Sequence, residues 1–128
     1  MSYEIINPES LGAPSGWNHG MLAPRGGRVL FVAGQTAPGA GEGFVEQWAA
    51  ALDRVLRVVG AAGGVPTDIG RMTIYVTNLA AYKANLKPIG DAYRRVMGKH
   101  FPAMALVEVK ALVDLHAAVE IEATAVIP

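Results

Sequence analysis

Glu120 and Glu122 stand two residues apart in the run Val119-Glu120-Ile121-Glu122-Ala123, and in an extended strand that spacing puts both carboxylates on one face. Like charges held so close disfavour double ionisation, which makes one of the pair a candidate proton carrier. An exposed carboxylate is as commonly a solvated group or half of a salt bridge, and that structural role falls first on Glu120. His19 lies beside Trp17 and Asn18. Its imidazole can donate to a ligand or shuttle a proton, or it can simply hold a loop by a hydrogen bond. Arg71 is the one cation expected on the polar face with the glutamates. It is either an anchor for a carboxylate or, more simply, an ion-pair partner of Glu108 or Glu120. Trp17 and Tyr75 can shape a cleft, though aromatic residues near sheet ends are more often packing elements.

Other chemistries lack their residues. The chain has no cysteine, which removes disulfides, thiolate nucleophiles and thiolate metal sites together. His19 has no companion at ligand spacing, and His100 and His116 flank predicted loops, so no metal is expected. No Ser-His-Asp arrangement is visible, and no cofactor is called for. The Gly39–Gly43 stretch is not followed by Lys-Ser/Thr and fails as a phosphate cradle, leaving a flexible turn. Eleven basic residues balance eleven acidic ones without runs of either sign, so neither nucleic acid nor an anionic membrane is an expected partner. Apolar stretches break well before the length of a bilayer span, and Met1-Ser2-Tyr3-Glu4 lacks a signal-peptide pattern. A cytoplasmic location is the expectation.

The elements that position these residues follow from hydrophobic spacing. With 128 residues, 52% of them apolar, the chain is long enough for one core, and residues 1–128 read as a single domain. Val29–Ala33 reads as a buried strand, central in a sheet and stopped by Gly34. After the turn Pro38-Gly39-Ala40-Gly41-Glu42-Gly43, apolar residues recur at Phe44, Trp48, Leu52, Val55 and Val59, predicting an amphipathic helix that Gly60, Gly63 and Gly64 end. Residues 71–77 alternate, with Met72, Ile74 and Val76 opposite Arg71, Thr73, Tyr75 and Thr77. A second helix is predicted over 82–97, with Pro88 in its first turn. Residues 103–110 and 118–127 are strand-like and close in sequence, which predicts an antiparallel hairpin centred near Asp114. That register opposes Glu108 to Glu120, Leu106 to Glu122 and Met104 to Thr124 on the polar side, leaving Ala105, Val107, Val109, Ile121, Ala123 and Ala125 on the other. A face carrying glutamates together with Met104 and Leu106 suits burial against other subunits.

Several local stretches resemble one family across nearly the whole chain. Val32-Ala33-Gly34-Gln35, Asp68-Ile69 through Thr73-Ile74-Tyr75-Val76 with Asn78-Leu79, and above all Phe101-Pro102-Ala103-Met104 leading to Val107-Glu108-Val109, then Glu120-Ile121-Glu122-Ala123 and Ala125-Val126, are similar to the Rid family, also called YjgF or RidA-like. The resemblance implies an α+β fold, a ferredoxin-like or chorismate-mutase-like mixed sheet with two helices on one face, assembled as a homotrimer with intersubunit clefts. It implies Glu122 as the pocket glutamate that positions or activates water, and places Trp17, Asn18 and His19 at the pocket entrance. Two departures stand out. Met104 occupies the position of the family's carboxylate-gripping arginine, and Gly16-Trp17-Asn18-His19 replaces its Gly-Pro-Tyr segment. The segment from Tyr82 to Tyr93 is also a few residues longer than usual.

A thioether cannot bind a carboxylate in two-point fashion, so the usual imino acids are not the expected substrates. The expectation is a divergent deaminase that hydrolyses a small imine or enamine at an intersubunit cleft, with Glu122 catalytic and Trp17, Asn18, His19, Tyr75, Met104 and Arg71 binding. One alternative is a non-catalytic protein that binds a small metabolite in the same cleft. A weaker one is an endoribonuclease or translation inhibitor, which the balanced charge does not favour.

Overall fold

The computed structural model describes residues 3–41 and 43–128; Met1, Ser2 and Glu42, read above as part of a non-signal N-terminus and a Gly-rich turn, lie outside the described residues. The strands are β1 (Glu4–Ile6), β2 (Gly20–Leu22), β3 (Arg28–Gln35), β4 (Ile69–Val76), β5 (Ala103–Glu108) and β6 (Val119–Ile127), and the α-helices are α1 (Phe44–Ala61), α2 (Leu79–Ala84) and α3 (Leu86–Met97). β1 and β2 pair antiparallel as a separate ribbon, and the main sheet runs β3-β6-β4-β5. β6 is antiparallel to both of its neighbours, whereas β4 and β5 are parallel, joined through α2 and α3.

Strict alternation makes β6 the centre of this architecture. Val119, Ile121, Ala123, Ala125 and Ile127 are buried, while the residues between them are partly exposed, so one sheet face is sealed and the other open. The sealed face takes α1, whose stripe of Trp48, Ala51, Leu52, Val55 and Val59 packs with Val32, Met72, Ile74, Val76, Ile89, Tyr93 and Met97 in one continuous core. Burial of each such large side chain contributes roughly 1.5–3 kcal/mol. The resulting α+β fold, with a mixed sheet and helices on one face, is the expected class.

The local arrangement differs from the sequence expectation in four places. Residues 103–108 and 119–127 do not form a hairpin, because β6 inserts between β3 and β4 while β5 pairs parallel with β4 at the sheet edge. The faces of β5 are therefore exchanged: Met104 is level with Met72 and Leu106 with Ile74, so both partly buried side chains pack on the helix side. Ala105 and Val107 take the open side, level with Thr73 and Tyr75. Second, β3 is an edge strand of this subunit, not a central one, and it continues through Gly34 to Gln35 with a register shift between Val32 and Gln35. Third, the helix expected over 82–97 is broken at Asn85 (φ −124°, ψ 25°) into α2 and α3, giving three α-helices. Asn78 caps α2 by accepting from the Ala81 amide at 3.0 Å. Fourth, the β1–β2 ribbon was not foreseen.

One polar residue on the apolar stripe of α1 fixes the connection between β5 and β6. Gln47 is buried; its Oε1 accepts from the Ala118 amide at 2.8 Å, and its Nε2 donates toward the His116 carbonyl at 3.5 Å. Gln47→Leu keeps the volume but leaves the Ala118 amide without its acceptor. A loss of about 1–3 kcal/mol is expected, read as a lower urea midpoint at unchanged slope.

Candidate functional site

The open face of the sheet assembles side chains from four strands. Phe31, Thr124, Arg71 and Ala103 lie in one lateral row, Glu122, Thr73 and Ala105 in the next, and Glu120, Tyr75 and Val107 in a third. The alternation that sends Met72, Ile74 and Val76 inward is what turns Arg71, Thr73 and Tyr75 out beside the glutamates. Between the first two rows is a depression of about 180 Å³ that includes Phe31, Arg71, Thr73, Glu122 and Thr124.

Beside it, the Tyr75 hydroxyl donates to Glu122 Oε2 at 3.2 Å. The phenol is pushed above its ordinary range, chiefly by loss of solvent and then by the Glu122 charge, so it stays protonated as a donor at neutral pH. The Glu120 carboxylate turns elsewhere and lies over Gly34, where an added Cβ would come within 2.7 Å of its Cδ. Arg71 is exposed, and among the described residues it forms no ion pair with Glu108, Glu120 or any other carboxylate. Glu108 is engaged instead at the start of α2, where its Oε1 accepts from the Leu79 amide at 2.9 Å.

Arg71 also borders a second depression of about 230 Å³, shared with Trp17, Asn18, His19 and Met104. Five of the seven residues singled out from sequence thus meet here, and Arg71 links them to Glu122. The Asn18 amide is already engaged: its Nδ2 donates to the Phe101 carbonyl at 2.6 Å and its Oδ1 accepts from Asn7 at 2.8 Å. The His19 ring nitrogen lies 3.2 Å from the Gly12 carbonyl, and the ring meets Trp17 edge-on at 4.6 Å. These contacts are the loop-holding role weighed for His19. Trp17 is 38% exposed and lies at a mouth rather than in the core. Tyr75 joins the site through Glu122 and does not line this second depression.

Alternation placed Thr73 and Thr124 on the carboxylate face along with Tyr75; what sequence reasoning missed is Gly34 beneath Glu120, whose signal was the glycine interrupting an apolar strand. Among the described residues no three His, Cys, Asp or Glu side chains cluster as a metal site requires, and no helix is long and apolar enough to cross a membrane.

A mixed four-stranded sheet with helices on one face, and a carboxylate, phenol and guanidinium gathered on the other, defines an α+β subunit of the kind found in YjgF proteins. A family model described as endoribonuclease L-PSP matches residues 9–127, and the chain belongs to this family, the YjgF or Rid family. A Rid-family protein of unknown function from Yersinia pestis, YyfB, is 32% identical, with a TM-score of 0.83 over 99% of this chain and 100% of that one. A YjgF/UK114-family member from Mycobacterium tuberculosis is 30% identical, with a TM-score of 0.68 over 98% of this chain and 100% of its own. TdcF of E. coli, solved with bound serine, is 29% identical, with a TM-score of 0.65 over 91% and 92% of the two chains. No curated protein matches the chain.

Proposed function

We propose that this protein hydrolyses a small imine or enamine to the carbonyl compound and ammonia, with Glu122 as the proton carrier. The observation that carries the reading is the Tyr75–Glu122 hydrogen bond of 3.2 Å beside an Arg71 that has no carboxylate partner among the described residues. The phenol occupies one carboxylate oxygen and leaves the other for water. As a water oxygen bonds to the carbon of the protonated imine, Glu122 takes one water proton and passes it to nitrogen; the C–N bond then breaks and ammonia leaves, while the C=O forms as Glu122 takes the remaining hydroxyl proton. An enamine enters the same sequence after protonation at carbon. A protonated imine is already electrophilic, so the reaction asks nothing of a cofactor.

Met104 leaves any carboxylate on the substrate to Arg71 alone, an exposed cation whose attraction solvent screens. Neutral imines are therefore expected to release ammonia faster than 2-iminopropionate-like acids. Efficient turnover of the acids by the wild type, lost in Arg71→Met, would instead give Arg71 the role of the missing arginine.

Binding without turnover is the second reading, favoured by the engagement of Asn18 and His19 in loop contacts and by the thioether at position 104. The serine held by E. coli TdcF supports a small metabolite as ligand under either reading. Ribonuclease activity has weaker support, since eleven basic residues are balanced by eleven acidic ones with no run of either sign. A cytoplasmic setting accords with a chain free of cysteine.

Self-association as a homotrimer belongs to the proposal. The open face presents Val29 and Phe31, 57% and 80% exposed, beside Val107, which is a poor surface to leave in water. Sedimentation is expected to give three times 13.4 kDa, about 40 kDa. Phe31→Glu, which adds a charge to that face, is expected to shift the mass toward one subunit. A monomeric wild type at micromolar concentration would refute the trimer.

A further inference from the structure

Gly34 follows the apolar run Val29-Leu30-Phe31-Val32-Ala33 inside β3, and a glycine within a strand weakens it unless something approaches closely there. Its backbone does not require one. The φ of Gly34 is not positive, so alanine could adopt the same conformation. Contact is what excludes a side chain. A Cβ on Gly34 would come 2.7 Å from Glu120 Cδ and 2.9 Å from both Cγ and Oε2, well inside the separation at which such atoms pack. All three atoms belong to the flexible end of one side chain, so the carboxylate, not the strand, would give way.

β6 has β3 on one side and β4 on the other, and Glu120 leans toward β3. Level with Glu120 on the β4 side stands Tyr75, whose hydroxyl bonds Glu122 Oε2 at 3.2 Å. A Glu120 pushed off Gly34 therefore turns toward the phenol and the second carboxylate. Arg71 lies one row beyond Glu122, on the side away from Glu120, and forms no ion pair with either among the described residues. β3 and β5 bring no titratable side chain to these three rows.

We infer that Gly34 is a positioning residue for the proposed proton transfer: the space left by its missing side chain parks Glu120 over β3 and leaves Glu122 as the one carboxylate at the Tyr75 hydroxyl. Its place in the reaction rests on Glu122 as the proton carrier, but the separation of the two carboxylates can be read without turnover.

Titration of the side-chain carboxyl carbons by NMR, with the Glu122 signal assigned by its loss in Glu122→Gln, reads that separation. In Gly34→Ala the displaced Glu120 charge disfavours ionised Glu122, so the Glu122 titration is expected to move to higher pH by about 1 pH unit or more, the size that marks two coupled groups. The acid limb of ammonia release should move with it. Adding Glu120→Ala to Gly34→Ala restores the room and removes the charge, and should return both curves close to those of the wild type; a purely structural effect of the new methyl group would persist. Glu120→Gln, which leaves Gly34 in place, should move the Glu122 titration by less than about 1 pH unit, because the two groups are already apart. That variant decides the matter if Gly34→Ala does not fold. An unmoved Glu122 titration in folded Gly34→Ala, a shift that survives in the double variant, or a shift of about 1 pH unit or more in Glu120→Gln would overturn the inference. A wild type that releases no ammonia while the titrations behave as expected would instead overturn the hydrolysis and leave the separation standing.

Discussion

Glu122→Gln is expected to lower ammonia release from a small neutral imine by about 10²–10⁴-fold, the usual contribution of a placed proton-transfer group. The amide keeps the size of the side chain and can still accept from the Tyr75 hydroxyl, so the face around Thr73 and Thr124 should persist. What is lost is the group that accepts a proton from water. Tyr75→Phe should cost less, because it frees the second carboxylate oxygen without removing the base, and its effect should fall on rate more than on affinity. Glu120→Gln is the control: its carboxylate lies over Gly34 and makes no bond to Tyr75, so hydrolysis should survive. Equal losses in Glu120→Gln and Glu122→Gln would assign the proton to the pair. Full activity in Glu122→Gln would leave binding as the better reading.

Met104→Arg should destabilise the free protein and make its stability depend on anions. Met104 packs against the core from the edge strand, level with Met72, and a guanidinium there must either lose solvent or turn out toward Trp17 and Arg71. A buried charge left unpaired costs about 3–5 kcal/mol, and the nearby Arg71 adds repulsion. A small carboxylate supplies the missing partner through a two-point contact, so pyruvate should bind the variant more tightly than the wild type and raise its Tm. Calorimetry and thermal melts with and without pyruvate provide the check. Equal affinity in both folded proteins would mean that position 104 does not reach an anion site.

Where a segment had one apolar and one polar side, its place was readable from residue order alone. The spacing of Trp48, Leu52, Val55 and Val59 located α1, and the alternation of 71–77 and 119–127 put Arg71, Thr73, Tyr75, Glu120 and Glu122 on one face. β5 defeated the same logic because Ala103, Met104, Ala105, Leu106 and Val107 are apolar on both sides, so the pattern cannot choose a face. Nearness in sequence then suggested a hairpin, whereas the α2–α3 crossover allows the parallel partner β4 and leaves the slot beside β4 to β6. The β1–β2 ribbon carries three residues per strand and little burial, too short for a period to register. For the site, spacing found the carboxylate pair, but the meeting of Trp17, His19 and Met104 around Arg71 depends on contacts more than thirty residues apart in sequence. Only the family resemblance anticipated those.

The N-terminal segment also determines how safely the protein can be handled at high concentration. β5 has an unpaired outer edge, and such an edge is a template on which another chain can build. Asn18 occupies its start, bridging to Ala103 in parallel register and bonding the carbonyls of Phe101 and Pro102 through its side chain and backbone. Asn18 therefore covers the start of that edge as well as lining a pocket. Truncated or N-terminally fused versions that disturb Asn7 or Asn18 are expected to expose this edge and to aggregate more readily than the intact chain, a difference that light scattering would read.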